Sequence, residues 1–299
     1  MAINSPVTAT FSKAMDPLTI STATFKVAGV TGLVAYDAIN RIAIFTPTAN
    51  FTNGTTYTAT ITTEATDLAG NALEINSVWN FTTAVFPPLI SLGSAASFGV
   101  MARSAIANSG ASIIYGDVAL SPGTACGLVA GQVSGTIHIN DAATAQAATD
   151  LAAAYAAAKA LPAGVTVVAG TDLGGFVNGG AAGVLPPGTY TSGSTMLVTT
   201  PVTLDAKGNI NASWVFQVGS SFTTTNNVFL ANGAQAKNVY WVSTASATIG
   251  AGTIFNGNII VGVSATGQAG AVINGRILSG ATTAGATALD NTTVNVPAP

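Results

Sequence analysis

Ser246-Ala247-Thr248 returns eighteen residues later as Ser264-Ala265-Thr266, and Ile254-Phe255-Asn256-Gly257-Asn258-Ile259-Ile260 returns as Val272-Ile273-Asn274-Gly275-Arg276-Ile277-Leu278. From Asn238 to Gly275 the chain carries no Asp, Glu, Lys or Arg. Apolar residues at period two, broken by Gly and Asn at a short fixed interval, mark a β-solenoid in which each coil stacks on the last. Equivalent residues then lie above one another about 4.7–4.9 Å apart, and alternate residues along a strand lie about 6.6 Å apart. Ser246 and Ser264 fall in one rank and Thr248 and Thr266 in the next, on a flat face of hydroxyls and methyls. Ile249, Ile254, Ile259, Ile260, Val272, Ile273 and Ile277 read as the inward set.

Composition fits such a face. Only 6% of the 299 residues are charged, against about 25% in ordinary soluble domains. Thr numbers 42 and Gly 33, so hydroxyls and amides rather than charges must hold surface water. No apolar run approaches the roughly 18 residues a membrane-spanning helix needs. Eight basic residues scattered along the chain cannot track a phosphate backbone, which argues against nucleic acid as a partner. Cys126 is the only cysteine, so no internal disulfide forms, and no Cys/His set suits zinc. The start, Met1-Ala2-Ile3-Asn4, has no basic stretch followed by an apolar core. A strand pattern begins almost at once, and the sequence reads as excised from a longer exported protein, secreted or held at the cell surface.

Residues 1–84 read as an all-β unit of short alternating strands separated by turn signals such as Asp16-Pro17, Thr52-Asn53-Gly54 and Asp67-Leu68-Ala69-Gly70-Asn71. Residues 85–88, containing Pro87-Pro88, form an extended connector. Residues 89–299 are mostly strand, interrupted once. Asp141 to Leu161 holds 12 alanines in 21 residues, with Asp141 placed as N-cap and Leu161-Pro162 as the stop, which predicts a helix over about 141–161. Its scarcity of charge predicts that it lies against the solenoid rather than in solvent.

Catalytic constellations are missing. His138 stands alone, so no His-based triad exists. Residues 89–299 contain only Asp117, Asp141, Asp150, Asp172, Asp205 and Asp290, and no Glu. The paired carboxylates of a glycosidase and the clustered charges of a solenoid lyase are not supplied. Asp67 and Asn71 suit a turn better than a calcium site. We expect no enzyme, no cofactor, no metal and a monomer.

Two resemblances sharpen this reading. Met15-Asp16-Pro17, Phe45-Thr46-Pro47, Gly54-Thr55-Thr56-Tyr57 and Trp79-Asn80-Phe81-Thr82-Thr83 together resemble bacterial immunoglobulin-like domains, which implies a β-sandwich acting as spacer or anchor. Leu92-Gly93-Ser94-Ala95-Ala96-Ser97-Phe98, Gly116-Asp117-Val118-Ala119-Leu120-Ser121-Pro122-Gly123, Leu185-Pro186-Pro187-Gly188-Thr189-Tyr190, Asn274-Gly275-Arg276 and Leu289-Asp290-Asn291 resemble, in order, the microbial ice-binding (antifreeze) proteins with a discontinuous β-solenoid. That resemblance implies a right-handed triangular solenoid, mainly β, with one long helix alongside and a small cap around residues 124–135. It implies an ice crystal surface as partner, with thermal hysteresis and inhibited ice recrystallisation as consequences.

Alternation then gives the expected ice-binding set. It comprises Ser221, Thr223 and Thr225 in one coil, Ser246 and Thr248 in the next, and Ser264, Thr266 and Gln268 in the third. Strict eighteen-residue spacing would continue to Thr282 and Ala284, but an inward Leu289, as the family segment implies, selects Ala286 and Ala288 instead. The first coil adds Ala105 and Ala107. The competing reading is an extracellular adhesin or carbohydrate-binding solenoid, which exposed aromatic platforms would favour.

Overall fold

A computed structural model describes Met1 and residues 5–52, 54–83 and 89–298. The chain divides into two compact units, Met1–Val85 and Phe86–Pro299. The predicted connector at 85–88 and the centre of the Thr52-Asn53-Gly54 turn lie outside the described residues.

In the first unit, two three-stranded antiparallel sheets face each other. One is ordered Val7–Thr10, Ile42–Pro47, Gly32–Asp37, and the other Phe25–Val27, Thr56–Ile61, Ser77–Thr82. Phe25, Phe45, Phe51 and Ile61 are buried between them, with the Phe25 ring 5.8 Å from those of Phe45 and Trp79. The Asp67 carboxylate accepts the backbone N–H groups of Ala69 and Asn71 and the Asn71 amide, so its oxygens serve the turn.

The second unit is a parallel solenoid whose three sheets enclose one core. The first sheet runs in the order Ile137–Ile139, Asp117–Leu120, Phe98–Ala102, Val272–Ser279, Ile254–Val261, Val239–Ser243, Trp214–Val218, Gly188–Ser192, Val165–Thr166. The C-terminal coil therefore sits between the coil that precedes it and the N-terminal one: Ile277 pairs with Val100 and Ala288 with Ala107. Residues 142–160 leave the stack as the helix before coiling resumes, which makes the solenoid discontinuous in sequence.

The third sheet, Val184–Leu185, Val202–Asp205 and Val228–Ala231, is flanked by the first halves of two long strands, Ile254–Val261 and Val272–Ser279, which bend at Gly257 and Gly275 so that their second halves run in the first sheet. Gly275 explains why the Asn-Gly pair repeats. A Cβ there would stand only 1.8 Å from the Gly257 carbonyl oxygen of the coil beside it, so stacked corners admit no side chain. The bend also corrects the inward set. Phe255, Ile259, Ile273 and Ile277 enter the core as alternation requires. Ile254 is 43% exposed on the third face, Val272 is half-buried there, and Ile260 lies beneath the helix. A run of apolar residues hides which parity faces in, and Ile260 is apolar because the outside of its strand is also covered.

The helix, Ala142–Ala160, starts where Asp141 Oδ1 accepts the Thr144 N–H at 2.8 Å. Asp141 Oδ2 meets His138 Nδ1 at 2.5 Å, and the His138 ring packs edge-on against Phe98. Thr144, Ala147, Leu151, Ala154, Tyr155 and Ala158 recur every three or four residues and bury one stripe. They cover Met101, Ala119, Val215, Val242, Ile260 and Leu278 on the first sheet. Alanines let the helix approach a sheet closely, while Leu151 and Tyr155 supply most of the buried area; burying one leucine contributes about 1.5–3 kcal/mol. Gln217 donates to the carbonyls of Ala158 and Leu161 and so satisfies groups the helix end leaves unpaired. Asp150 accepts the Ser94 N–H and hydroxyl, tying the helix to the turn at Gly93–Ser97.

Inside the solenoid, rings stack from coil to coil. Tyr190 lies 5.1 Å from Phe216, and Phe216 lies 3.7 Å from Trp241 at 5° between planes. The Tyr190 hydroxyl donates to the Pro186 carbonyl at 2.6 Å and accepts from Asn178. Burial pushes its pKa up to about 12, against a small opposing effect of the Asn178 bond. An unfolded tyrosine ionises near pH 10, so the folded chain holds this proton longer. The associated stability is complete below about pH 10 and is lost as pH rises through about 12. Denaturant melts at pH 9 and pH 11.5 should therefore show a smaller alkaline loss in Tyr190→Phe than in the wild type. Equal losses would place the titration elsewhere.

Candidate functional site

The helix covers the first sheet and leaves the outer side of the second sheet open. The order of this second sheet is Ala125–Cys126, Ala105–Ser109, Thr287–Asp290, Ala265–Gly267, Ala247–Ile249, Phe222–Thr224, Met196–Val198, Thr171–Asp172. Phe222, Ala247, Ala265 and Ile106 point inward and are buried, as are Val198, Ile249 and Leu289. The side chains between them must point out, because strand neighbours alternate.

Register arranges the outward set in three ranks. The central rank runs Ala107, Ala288, Thr266, Thr248, Thr223, Leu197, Asp172. The second follows from the ladder bonds to the carbonyls of Ala286, Ser264, Ser246 and Ser221 and is closed by Ala105. In the third, Ser109 pairs with Asp290, followed by Gln268, Gly250, Thr225 and Thr199. All twelve predicted positions, Ala105, Ala107, Ser221, Thr223, Thr225, Ser246, Thr248, Ser264, Thr266, Gln268, Ala286 and Ala288, lie on this one face. The pairing of Thr266 with Ala288 places Ala286 and Ala288, rather than Thr282 and Ala284, in the last coil.

Threonines on the two sides of the sheet do different things. Thr224 and Thr287 face inward and are fully buried. Thr224 donates to the Asn226 carbonyl at 2.6 Å, and Thr287 to the Met101 carbonyl and the Ser279 hydroxyl. Among the described residues, no protein group hydrogen-bonds the side chains of Thr223, Thr248 or Thr266, so their hydroxyls face solvent. A β-branched side chain in a strand has few rotamers, and the stacked coils fix the spacing. The product is a stiff array of hydroxyl and methyl pairs at about 4.7–4.9 Å along the solenoid. Such an array can hold first-shell water in a repeating pattern, with methyls ordering it and hydroxyls anchoring it.

The face is not free of charge, contrary to the expectation. Asp172 ends the central rank. Burial raises its pKa, but bonds from the Thr199 N–H, the Thr200 hydroxyl and the Gly174 N–H outweigh that and hold it below the ordinary carboxylate value. Asp290 stands at the edge, beside a shallow depression of about 440 Å³ bordered by Thr266, Gln268 and Ala288. Leu197 also joins the central rank unforeseen. It escaped notice because Met196-Leu197-Val198 is uniformly apolar and lies 26 residues before Thr223, outside the eighteen-residue period.

Among the described residues no group of three or more acidic, His or Cys side chains converges as a metal site. Residues 100–295 match the ice-binding-like family. The chain belongs to that family. Residues 1–83 match the bacterial Ig-like domain, and the first unit is such a domain. Ice-binding-like proteins similar to the chain include one from Nostoc sp. (strain HG1), 40% identical over 56% of this chain and 61% of its own length. Another, from Flavobacterium frigoris (strain PS1), is 34% identical over 58% of this chain and 65% of its own length. The chain thus spans under two thirds of both. The crystal structure of an ice binding protein from an Antarctic biological consortium is similar over 71% of this chain and 93% of that one, at 38% identity and a TM-score of 0.64. The ice-binding-like match includes all three ranks of the open face. The family is non-enzymatic, and no helix among the described residues is long and apolar enough to cross a membrane.

Proposed function

We propose that the chain binds ice through the open face, with Thr223, Thr248 and Thr266 as its centre and Ser221, Ser246, Ser264, Ala286, Ala288, Ala105 and Ala107 completing the flat area. The observation that carries this is the in-register rank of outward threonines whose hydroxyls no protein group engages. Adsorbed molecules pin a growing crystal front, giving thermal hysteresis and inhibiting recrystallisation. The Ig-like unit acts as spacer or anchor, since Lys13, Asp16, Lys26, Asp37 and Arg41 interrupt its surface with charge. Secretion or surface display follows from the need to meet ice outside the cell. Microscopy of single crystals in a dilute solution of the full chain tests the reading: crystals should facet and stay arrested below the melting point.

A second reading, carbohydrate adhesion, is favoured by the third face. Asn274 donates to Asn256 and Asn295 donates to Asn274, so these three side chains form a ladder along it. Tyr115, paired with Asn295, is 52% exposed, and Phe229 on the same side of the solenoid is 42% exposed. Rings beside amides suit a sugar chain. Clear hits in a glycan screen, together with round, unarrested crystals, would select this reading over ice.

A further inference from the structure

Residues 89–299 contain only five basic residues: Arg103, Lys159, Lys207, Lys237 and Arg276. Two of them, Lys237 and Arg276, line one open cavity of about 580 Å³, wide to solvent, on the part of the first sheet near Gly93–Ser97. No carboxylate lines it among the described residues. Most of the wall is apolar, from Leu89, Ile90, Leu92 and Val296, and Tyr240 stands beside Arg276. The size lies within the roughly 300–1,000 Å³ usual for small-molecule sites.

Arg276 is only 5% exposed. Its Nε–H donates to the Ala96 carbonyl and its Nη1 to Asn258 Oδ1, both at 2.8 Å. Asn258 is held in turn by donating to the carbonyls of Val239 and Lys237, so the guanidinium is fixed in place. Nη2 meets no acceptor among the described residues, and no ion pair reaches Arg276 or Lys237. A buried cation without a counter-charge is costly. Burial accordingly lowers the Arg276 pKa and raises that of Tyr240. Carboxylates elsewhere in this unit are engaged in turns and caps: Asp205 with Lys207 and Asn232, Asp150 with Ser94, Asp141 with Thr144.

We propose that this cavity binds a small anionic amphiphile, with a carboxylate head against Arg276 and Lys237 and a short alkyl tail along Ile90, Leu92 and Val296. The planar guanidinium offers its remaining N–H donors in the geometry a carboxylate accepts, and the half-buried Lys237 adds a second charge. An uncharged molecule of the same shape would leave both cations uncompensated. This site is on a different sheet from the threonine ranks and does not depend on what those ranks bind.

Isothermal titration of the full chain with decanoate, with decanol as the uncharged probe, tests the assignment. Decanoate should saturate at one per chain, and decanol should bind at least tenfold more weakly. Lys237→Gln removes a side chain whose ammonium bonds to nothing among the described residues; it should keep the wild-type melting temperature and weaken decanoate several-fold. Arg276→Lys keeps the charge but loses the fork, and should weaken decanoate further. Thr266→Tyr should bind decanoate as the wild type does. Equal affinities for decanoate and decanol, an unchanged affinity in Lys237→Gln, or no saturation by millimolar decanoate would each overturn the proposal.

Discussion

Thr266→Tyr should leave the protein folded and remove most of its effect on ice. Thr266 lies between Thr248 and Ala288 in the central rank, with its side chain outside the core, so the new ring displaces nothing inside. Standing proud of its neighbours, the ring would hold an apposed lattice beyond the about 3.5–4.0 Å at which non-bonded atoms attract. It would also break the water pattern shared by the ranks on either side. Thermal hysteresis at equal concentration should fall about tenfold or more. Thr248→Tyr should behave alike. Melting curves and circular dichroism that match the wild type make the loss a surface effect. Full hysteresis in both variants would move the site off this face.

Trp241→Ala should have the largest effect on stability. Trp241 is 1% exposed and stacks with Phe216 at 3.7 Å and Phe222 at 4.6 Å, with Phe255 at 5.4 Å. Its indole N–H donates to the Asn256 carbonyl at 3.2 Å. Emptying such a site typically costs about 3–5 kcal/mol, and an unpaired buried carbonyl adds about 1–3 kcal/mol. Set against the roughly 5–15 kcal/mol of a whole domain, this should abolish or sharply lower the calorimetric transition of the second unit. The Ig-like unit has its own core and should melt as before. An unchanged transition would mean that the ring stack does not hold the coils together.

The open face was legible wherever coils keep one length. From Thr248 to Thr266 the period is eighteen, and identical tripeptides announce the register. Between Thr223 and Thr248 the spacing grows to 25, because the coil also carries the turn around Ala236–Asn238. Leu197 and Asp172 lie beyond that change, so no repeat points to them. Nothing local to Leu289-Asp290 says that the Asp290 carboxylate borders the face. The helix was legible from its alanines and cap, since both act within a few residues. The cavity beside Arg276 was not legible. It is built from residues 89–97, 237–240, 276 and 296–297, which only the C-terminal coil's insertion beside the N-terminal one brings together. The asparagine ladder was half visible: Asn256 and Asn274 repeat at eighteen, but Asn295 joins through a pairing the repeat does not contain.

The most direct test of the central claim images fluorescently labelled chain on a single growing ice crystal, comparing wild type, Thr266→Tyr and Ile254→Tyr. Thr266 and Ile254 lie on different faces of adjacent coils, and both replacements add one exposed ring. The wild type and Ile254→Tyr should coat the crystal and persist after the solution is exchanged, and Thr266→Tyr should wash away. Retention of Thr266→Tyr at the wild-type level, or loss of Ile254→Tyr alone, would contradict the account.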